Sequence, residues 1–346
     1  MKTIDMRSDT VTVPTPRMRT AMAQAEVGDD VFGEDPTIIH LQKMAAERMG
    51  KEAGLFVPSG TMGNLIAVLS HCGRGDEAIM GDKGHTFLFE AGGISALGGV
   101  FPHTLPNQPD GTLKLEDIRS AFRPDDVHHP ISRLVILENT QNRCGGVVLS
   151  RDYTRQVGDL AHKRGLLLHM DGARIFNAAV ELGISASDLV EAADSVTFCL
   201  SKGLCAPVGS VVCGSEEFII KARRNRKILG GGMRQAGILA AAGIVALEEM
   251  VDRLVDDHCR AKQLADGLAR IPGIVFELGM PATNMVFPSL GEGFPLSASE
   301  VVSQLDHKGI KIGKVSQRGF RLVTHYWITD EDVEQVLNGF TEVLTA

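Results

Sequence analysis

Leu166-Leu167-Leu168-His169-Met170-Asp171-Gly172-Ala173-Arg174, and after it Val196-Thr197-Phe198-Cys199-Leu200-Ser201-Lys202-Gly203, decide the fold of this 346-residue chain. Each is a short apolar run that ends on a charged residue. Runs of this length, rich in Val, Ile and Leu and closed by Gly or polar residues, read as strands buried on both faces of a parallel sheet. Leu134 to Glu138 and Val208 to Gly214 have the same character. Between them Tyr153 to Arg164 and Ile175 to Leu182 carry helical patterns, with Gly165 and Gly183 where a helix would stop. The alternation predicts an α/β doubly wound domain with a largely parallel sheet flanked by helices. Ligands of such sheets sit beyond the carboxyl ends of the strands, which is where Asp171 and Lys202 fall.

Farther along, Gln235 to Met250 is a small-residue helix with little polar surface, expected to be buried against the sheet or a partner subunit. An amphipathic stretch from Val251 to Ile271 leads to Pro272-Gly273. Strands are expected near Ile274 to Leu278, Asn284 to Phe287 and Phe320 to Thr324, then a last helix from Asp330 to Leu344. That order predicts two domains: residues 1–249, a large ligand-binding unit with an N-terminal arm, and residues 250–346, a smaller α+β unit.

Composition narrows the class of protein. A net charge of −8 argues against a general nucleic-acid binder, which needs a basic surface, and only Lys221 to Lys227 departs from it. No run reaches the ~18 to 20 apolar residues of a membrane span, and the first nine residues lack an apolar signal-like segment. The expectation is a cytoplasmic protein that engages neither membrane nor nucleic acid. Six cysteines are scattered without a Cys-x-x-Cys pair or histidines at zinc spacing, so they read as reduced, mostly buried thiols with no metal.

Two charged residues at strand ends define candidate chemistry. Lys202 leaves a buried strand with no adjacent acid in sequence, and burial lowers an amine's pKa and makes it nucleophilic toward aldehydes. A lone strand-end lysine more often snorkels to water. Asp171, taken alone, more often caps the following helix. Together they read differently: an acid that keeps a ring nitrogen protonated, and a lysine that forms an imine, are what pyridoxal phosphate chemistry asks of a protein. Pro58-Ser59-Gly60-Thr61-Met62-Gly63-Asn64 opens an apparent helix to His71 and offers backbone amides to a phosphate, although Ser-Gly-Thr is equally an ordinary capped turn. Arg174 has a planar fork that suits a carboxylate, or is a surface arginine. His85, between Gly84 and an aromatic-rich stretch, could stack on a flat ring and handle protons near pH 7. His128 and His129 form a doublet that either reaches a site or faces solvent. The cluster Lys221 to Lys227 with Arg234 reads as a solvated helix face, a nucleic-acid patch, or phosphate ligands that cross a subunit interface.

In order along the chain, Met6-Arg7-Ser8-Asp9-Thr10-Val11-Thr12, Val27 to Pro36, Ser59-Gly60-Thr61, Phe89-Glu90-Ala91-Gly92, Glu138-Asn139-Thr140, His169 to Arg174, Leu200-Ser201-Lys202-Gly203, Gly230 to Gly237 and Arg321 to His325 form one pattern. It resembles the low-specificity L-threonine aldolases, pyridoxal phosphate enzymes of the aspartate aminotransferase-like fold, fold type I. The resemblance implies a mostly parallel sheet of seven-stranded type in the large domain. It implies Lys202 as the Schiff-base lysine, Asp171 on the pyridine nitrogen, His85 on the ring, and Ser59, Gly60 and Thr61 around the phosphate. Ser8, Arg174 and Arg321 would hold the substrate carboxylate, with His128 near the substrate hydroxyl. Lys227 and Arg234 would approach the phosphate of a neighbouring subunit's cofactor, in a homo-oligomer built as a dimer of dimers. Two residues depart from the family's pattern, Gln141 for a histidine and His129 for an aromatic residue, and Trp327 replaces a polar one; these bear on substrate preference.

The activity implied is retro-aldol cleavage of L-threonine, L-allo-threonine and other β-hydroxy-α-amino acids to glycine and an aldehyde, with His85, His128 or a water held by either as the base. The alternatives are a β-eliminating lyase or an aminotransferase on the same fold, and a protein that binds the cofactor without turnover.

Overall fold

A computed structural model describes residues 3–345. Met1, Lys2 and Ala346, the outer ends of the N-terminal stretch and of the two expected domains, lie outside the described residues. The centre is a sheet of seven strands: β1 (Ala53–Val57), β2 (Asp76–Gly81), β3 (Phe101–Leu105), β4 (Ile131–Glu138), β5 (Leu167–Asp171), β6 (Ser195–Cys199) and β7 (Ser210–Gly214). Their order is β1-β7-β6-β5-β4-β2-β3. Every pairing is parallel except the two made by β7, which runs against both β1 and β6. The sheet is thus the largely parallel one expected, and its one reversed strand follows β6 by a turn too short for a helical crossover.

The strands are apolar throughout because both faces are covered. On β4, Val135 and Leu137 join the core on one side, while Leu134 and Ile136 join the core on the other. That alternation is the period of two of a pleated strand. Four helices recur below: α1 (Gly60–His71), α2 (His85–Leu88), α3 (Glu216–Ile228) and α4 (Gly237–Glu249). Ala240, Ala242, Val245 and Leu247 of α4 are buried in the main core, as its small-residue composition predicts. Helix α1 lies close on the sheet at Gly63, where an added Cβ would stand 2.5 Å from Thr197 Cγ2 on β6. The helix Ile175–Leu182 stops as its sequence says, with Gly183 in a left-handed conformation.

A separate apolar cluster gathers Leu264, Leu268, Val301, Leu305, Phe320, Leu322, Val336 and Phe340 from the last hundred residues, together with Ile4 and Met6. Ile4–Asp5 pairs in parallel with Ile310–Lys311, so the N-terminal arm is stitched into this layer. The arm then crosses to the carboxyl edge of the large sheet and delivers Ser8 and Asp9 there. The strand expected from Ile274 to Leu278 is only Ile274–Val275, because the chain turns at Gly279. Among the described residues no helix is long and apolar enough to cross a membrane.

Candidate active site

Asp171 ends β5, and Glu138 lies opposite it at the end of β4. Lys202 emerges three residues past β6, half-buried, and its carbonyl accepts a hydrogen bond from Thr12 Oγ1 at 2.9 Å. Asp171 is buried, with Oδ1 accepting from the Ala173 amide at 3.2 Å and Oδ2 from Asn64 Nδ2 at 2.9 Å. This leaves the carboxylate capacity for further donors, since an ionised carboxylate accepts about four hydrogen bonds.

His85 opens α2. Its backbone N–H donates to Glu138 Oε2 at 2.7 Å, and its Nδ1 lies 2.8 Å from Glu90 Oε1. Ligand atoms of His85, Glu90 and Asp171 all fall within 4.8 Å of one another, so the imidazole and both carboxylates converge on one place. The hydrogen bond to Glu90 raises the histidine's pKa above its ordinary value, against the opposing effect of burial. Burial, reinforced by the Asp171 charge, pushes Glu138 up to about 7, and burial also raises Glu90. His85, Glu138, Gln141 and Asp171 line a common cavity.

Ser59 is the N-cap of α1, its Oγ accepting from the Met62 amide. The amides of Gly60 and Thr61, at the first helical positions, stay available to an anion. Gly60 faces the ends of β6 and β7: a Cβ there would stand 3.1 Å from Cys199 Sγ and 3.5 Å from Ser210 Oγ. A side chain at this position would press on Cys199 and move the first turn of α1 against the sheet.

Arg174 follows Asp171 and is buried, but its fork is engaged. Nε donates to Asp9 Oδ2 at 2.7 Å and Nη2 to Asp9 Oδ1 at 2.6 Å, leaving Nη1. Burial opposes ionisation of Asp9, yet the guanidinium outweighs it and holds this carboxyl far below the usual range. Arg321 is half-buried beside Arg174; Nη1 donates to Asn142 Oδ1 and Nη2 to the Arg7 carbonyl, both at 3.1 Å. Among the described residues no carboxylate forms an ion pair with Arg321, and burial together with the Arg174 charge lowers its pKa. Ser8 caps the short turn Asp9–Val11 next to this pair.

The remaining expected residues lie elsewhere within one chain. His128 is exposed in the loop that enters β4, 2.6 Å from Asp126. Glu138 closes the same strand, so the whole length of β4, roughly 23 Å, separates the His128 loop from the acidic cluster. His129 lies on that same far loop and lines a polar cavity with Arg123, Arg133 and Arg164. Lys227, exposed on α3, lines a cavity of about 320 Å³ with Arg223, Arg224 and Val31. Arg234 pairs with Asp29 at 2.9 Å and lies over the Phe32 ring. Gln141 is engaged at both ends: Oε1 accepts from the Cys144 amide and Nε2 donates to the Lys83 carbonyl. Trp327 Nε1 donates to the Val13 carbonyl. Residue-by-residue reading missed Asp9, Asn64, Glu90 and Glu138 as parts of the site; of these only Glu90, five residues after His85, carried a local signal.

A strand-end lysine, an acid with a spare acceptor, an imidazole close to it and an open helix N-terminus fit the aldehyde, ring nitrogen, ring and phosphate of pyridoxal phosphate. With the seven-stranded sheet, they define a pyridoxal phosphate protein of fold type I. The beta-eliminating lyase family model matches residues 5–290. Over 99% of its length the chain is 51% identical to the probable low-specificity L-threonine aldolase 2 of Arabidopsis thaliana, covering 98% of that protein. It is 45% identical to the low specificity L-threonine aldolase of Escherichia coli K12, over 96% of this chain and 97% of that one. A Leishmania major threonine aldolase structure superposes with a TM-score of 0.84 at 22% identity, covering 99% of both chains. Sphingomonas wittichii serine palmitoyltransferase shares the fold more distantly, with a TM-score of 0.78 at 17% identity, covering 99% of this chain and 87% of that one. The chain belongs to the beta-eliminating lyase family and, within it, to the low-specificity L-threonine aldolases.

Proposed function

We propose that the chain cleaves L-threonine, L-allo-threonine and related β-hydroxy-α-amino acids to glycine and an aldehyde. The observation that carries this reading is the pairing of a half-buried Arg321, with no ion-pair partner among the described residues, and a polarised His85 on one cofactor site. A clamp for a carboxylate and a base for a hydroxyl are what a retro-aldol cleavage needs.

Lys202, Asp171, His85, Gly60 and Thr61 would hold pyridoxal phosphate, which when bound supplies an electron sink for the pair released at the substrate's Cα. Arg321 and the free Nη1 of Arg174 hold the substrate carboxylate, which fixes how the Cα–Cβ bond is presented. Asp9 keeps Arg174 aimed. Because Glu90 accepts from Nδ1, the neutral imidazole of His85 carries its proton there and offers Nε2 as the base. His85 Nε2 takes the β-hydroxyl proton as the Cα–Cβ bond breaks, Cβ leaves as the aldehyde carbon, and Cα is reprotonated to give glycine.

The proposal includes a homo-oligomer, a dimer of dimers, in the cytoplasm. Lys227 and Arg234 would then reach a neighbouring subunit's phosphate, and His128 would serve another subunit's substrate, since within its own chain it lies at the wrong end of β4. Val127 beside it is 98% exposed, and Phe32 and Ile228 near the basic helix are 73% and 79% exposed, which suits surfaces that meet another copy. All six cysteines are free thiols, which suits a reducing compartment. The two-domain division near residue 250 is part of the same reading. The test is reconstitution of the full chain with pyridoxal phosphate: a visible absorbance band should appear and be lost in Lys202→Ala. A band that persists in the variant would remove Lys202 from its role.

A further inference from the structure

Behind Asp171 runs a line of buried polar side chains that the reaction itself does not use. Asn64 and His71 project from α1 seven residues apart, which is two helical turns and so one face. His169 on β5 and Ser195 on β6 are cross-strand neighbours beneath them. His169 Nε2 lies 3.3 Å from Asn64 Oδ1, His169 Nδ1 lies 2.8 Å from Ser195 Oγ, and Ser195 Oγ lies 2.7 Å from His71 Nε2. Asn64 Nδ2 donates to both Asp171 Oδ2, at 2.9 Å, and Glu90 Oε1, at 2.8 Å. His169 and Ser195 are fully buried, and His71 reaches the partly exposed end of α1, stacked on Phe218 at 4.6 Å.

The two carboxylates fix the polarity of this line. Both can only accept, so the Asn64 amide must turn its NH₂ toward them and its oxygen toward His169. That oxygen needs a donor, which places the proton of His169 on Nε2. Burial pushes His169 down to about 3, so the ring is neutral and its Nδ1 must accept, from Ser195 O–H. Ser195 Oγ then accepts from His71, whose proton is therefore on Nε2; burial holds His71 at about 4, also neutral. Apolar side chains of the same shape would be about as stable there, so stability alone does not account for this polar quartet.

We propose that His71, Ser195, His169 and Asn64 form a one-way hydrogen-bond chain in which every donor points toward Asp171, and that His169 is the positioning residue that keeps the Asn64 amide, and through it the Asp171 carboxylate, set to meet the cofactor's ring nitrogen. The proposal rests on the reading of this site as a pyridoxal phosphate site. Without His169 Nε2–H, the buried Asn64 oxygen loses its donor, and the amide is held only from the side of the two carboxylates to which it donates.

The test has two arms on the full chain stripped of cofactor. Nitrogen-15 NMR of the histidines reports tautomers directly: Nε2–H is expected for both His169 and His71 near pH 7, and Nδ1–H on either overturns the chain's direction. The second arm is the dissociation constant of pyridoxal 5′-phosphate. His169→Gln retains a donor for Asn64 and an acceptor for Ser195, and should bind within about threefold of the parent; His169→Leu fills the space without either and should bind about tenfold more weakly or worse. A merely space-filling role predicts the opposite ranking, so equal affinities for the two variants overturn the proposal. The tautomers need no variant and decide the matter should His169→Leu fail to fold. If the parent chain binds no cofactor, the site reading fails while the tautomers still report on the chain.

Discussion

Removing the Asp9 carboxylate is expected to be among the most damaging changes in the protein outside its apolar cores. Asp9 and Arg174 make two charge-assisted hydrogen bonds of 2.7 and 2.6 Å with side chains that are 0% and 7% exposed. Asp9→Ala leaves the guanidinium buried without its counter-ion, which costs about 3–5 kcal/mol against a total stability of about 5–15 kcal/mol. With a urea dependence of about 3 kcal/mol per molar, the unfolding midpoint should fall by about 1 M or more. The assay is urea unfolding of the full chain without cofactor, so that ligand binding does not mask the loss. The sign with pH follows from the depressed carboxyl: its contribution is complete above the unfolded value of about 4 and is lost as pH falls through the lower folded value. The difference between parent and Asp9→Ala should therefore be full at pH 7 and shrink at strongly acid pH. The double variant Asp9→Ala/Arg174→Met should recover part of the loss, because no unpaired ion remains. A midpoint within about 0.3 M of the parent, or a double variant at the sum of the single losses, would refute the reasoning.

Three further outcomes follow from the site. Arg321→Ala should raise KM for the amino acid by about tenfold or more, the scale of a lost charge-assisted contact, while the cofactor's colour is retained; an unchanged KM removes Arg321 from the clamp. Glu90→Gln removes the main cause that raises His85, so the acidic limb of the pH–rate profile, where the base becomes protonated and activity falls, should move to lower pH. A limb that stays in place would show that His85 is not the base. Gly60→Val puts carbon where Cys199 Sγ and Ser210 Oγ leave little space, and equilibrium dialysis should show pyridoxal phosphate bound at least about tenfold more weakly, with no change if the phosphate lies elsewhere.

The sheet was legible because its strands are apolar on both faces and a helix between them stops at Gly183. Asp171 and Lys202 could therefore be placed at carboxyl ends from the sequence. What local pattern could not show is contact across the chain. Asp9 meets Arg174 over 165 residues of sequence, so the fork that looks free in Asp171-Gly172-Ala173-Arg174 is mostly engaged. Glu138 reads as the polar end of a strand, and only the fold shows that burial, with Asp171 opposite in register, raises it to about 7. His128 has a family match, yet the direction of β4 carries it away from its own site. The reversed strand β7 was hidden for another reason: Val208 to Gly214 is equally apolar in either direction, and a buried strand's composition does not record its orientation. His169 sat in the quoted motif throughout, with its role set by Asn64 and Ser195, neither of them near it in sequence.

The most direct measurement follows four products at once. The chain reconstituted with pyridoxal phosphate is given L-threonine and L-allo-threonine in turn, and acetaldehyde, glycine, ammonia and 2-oxobutanoate are quantified. Acetaldehyde and glycine in equal amounts from at least one isomer, without ammonia, is the result predicted here; ammonia with 2-oxobutanoate and no glycine would contradict carbon–carbon cleavage and point to elimination.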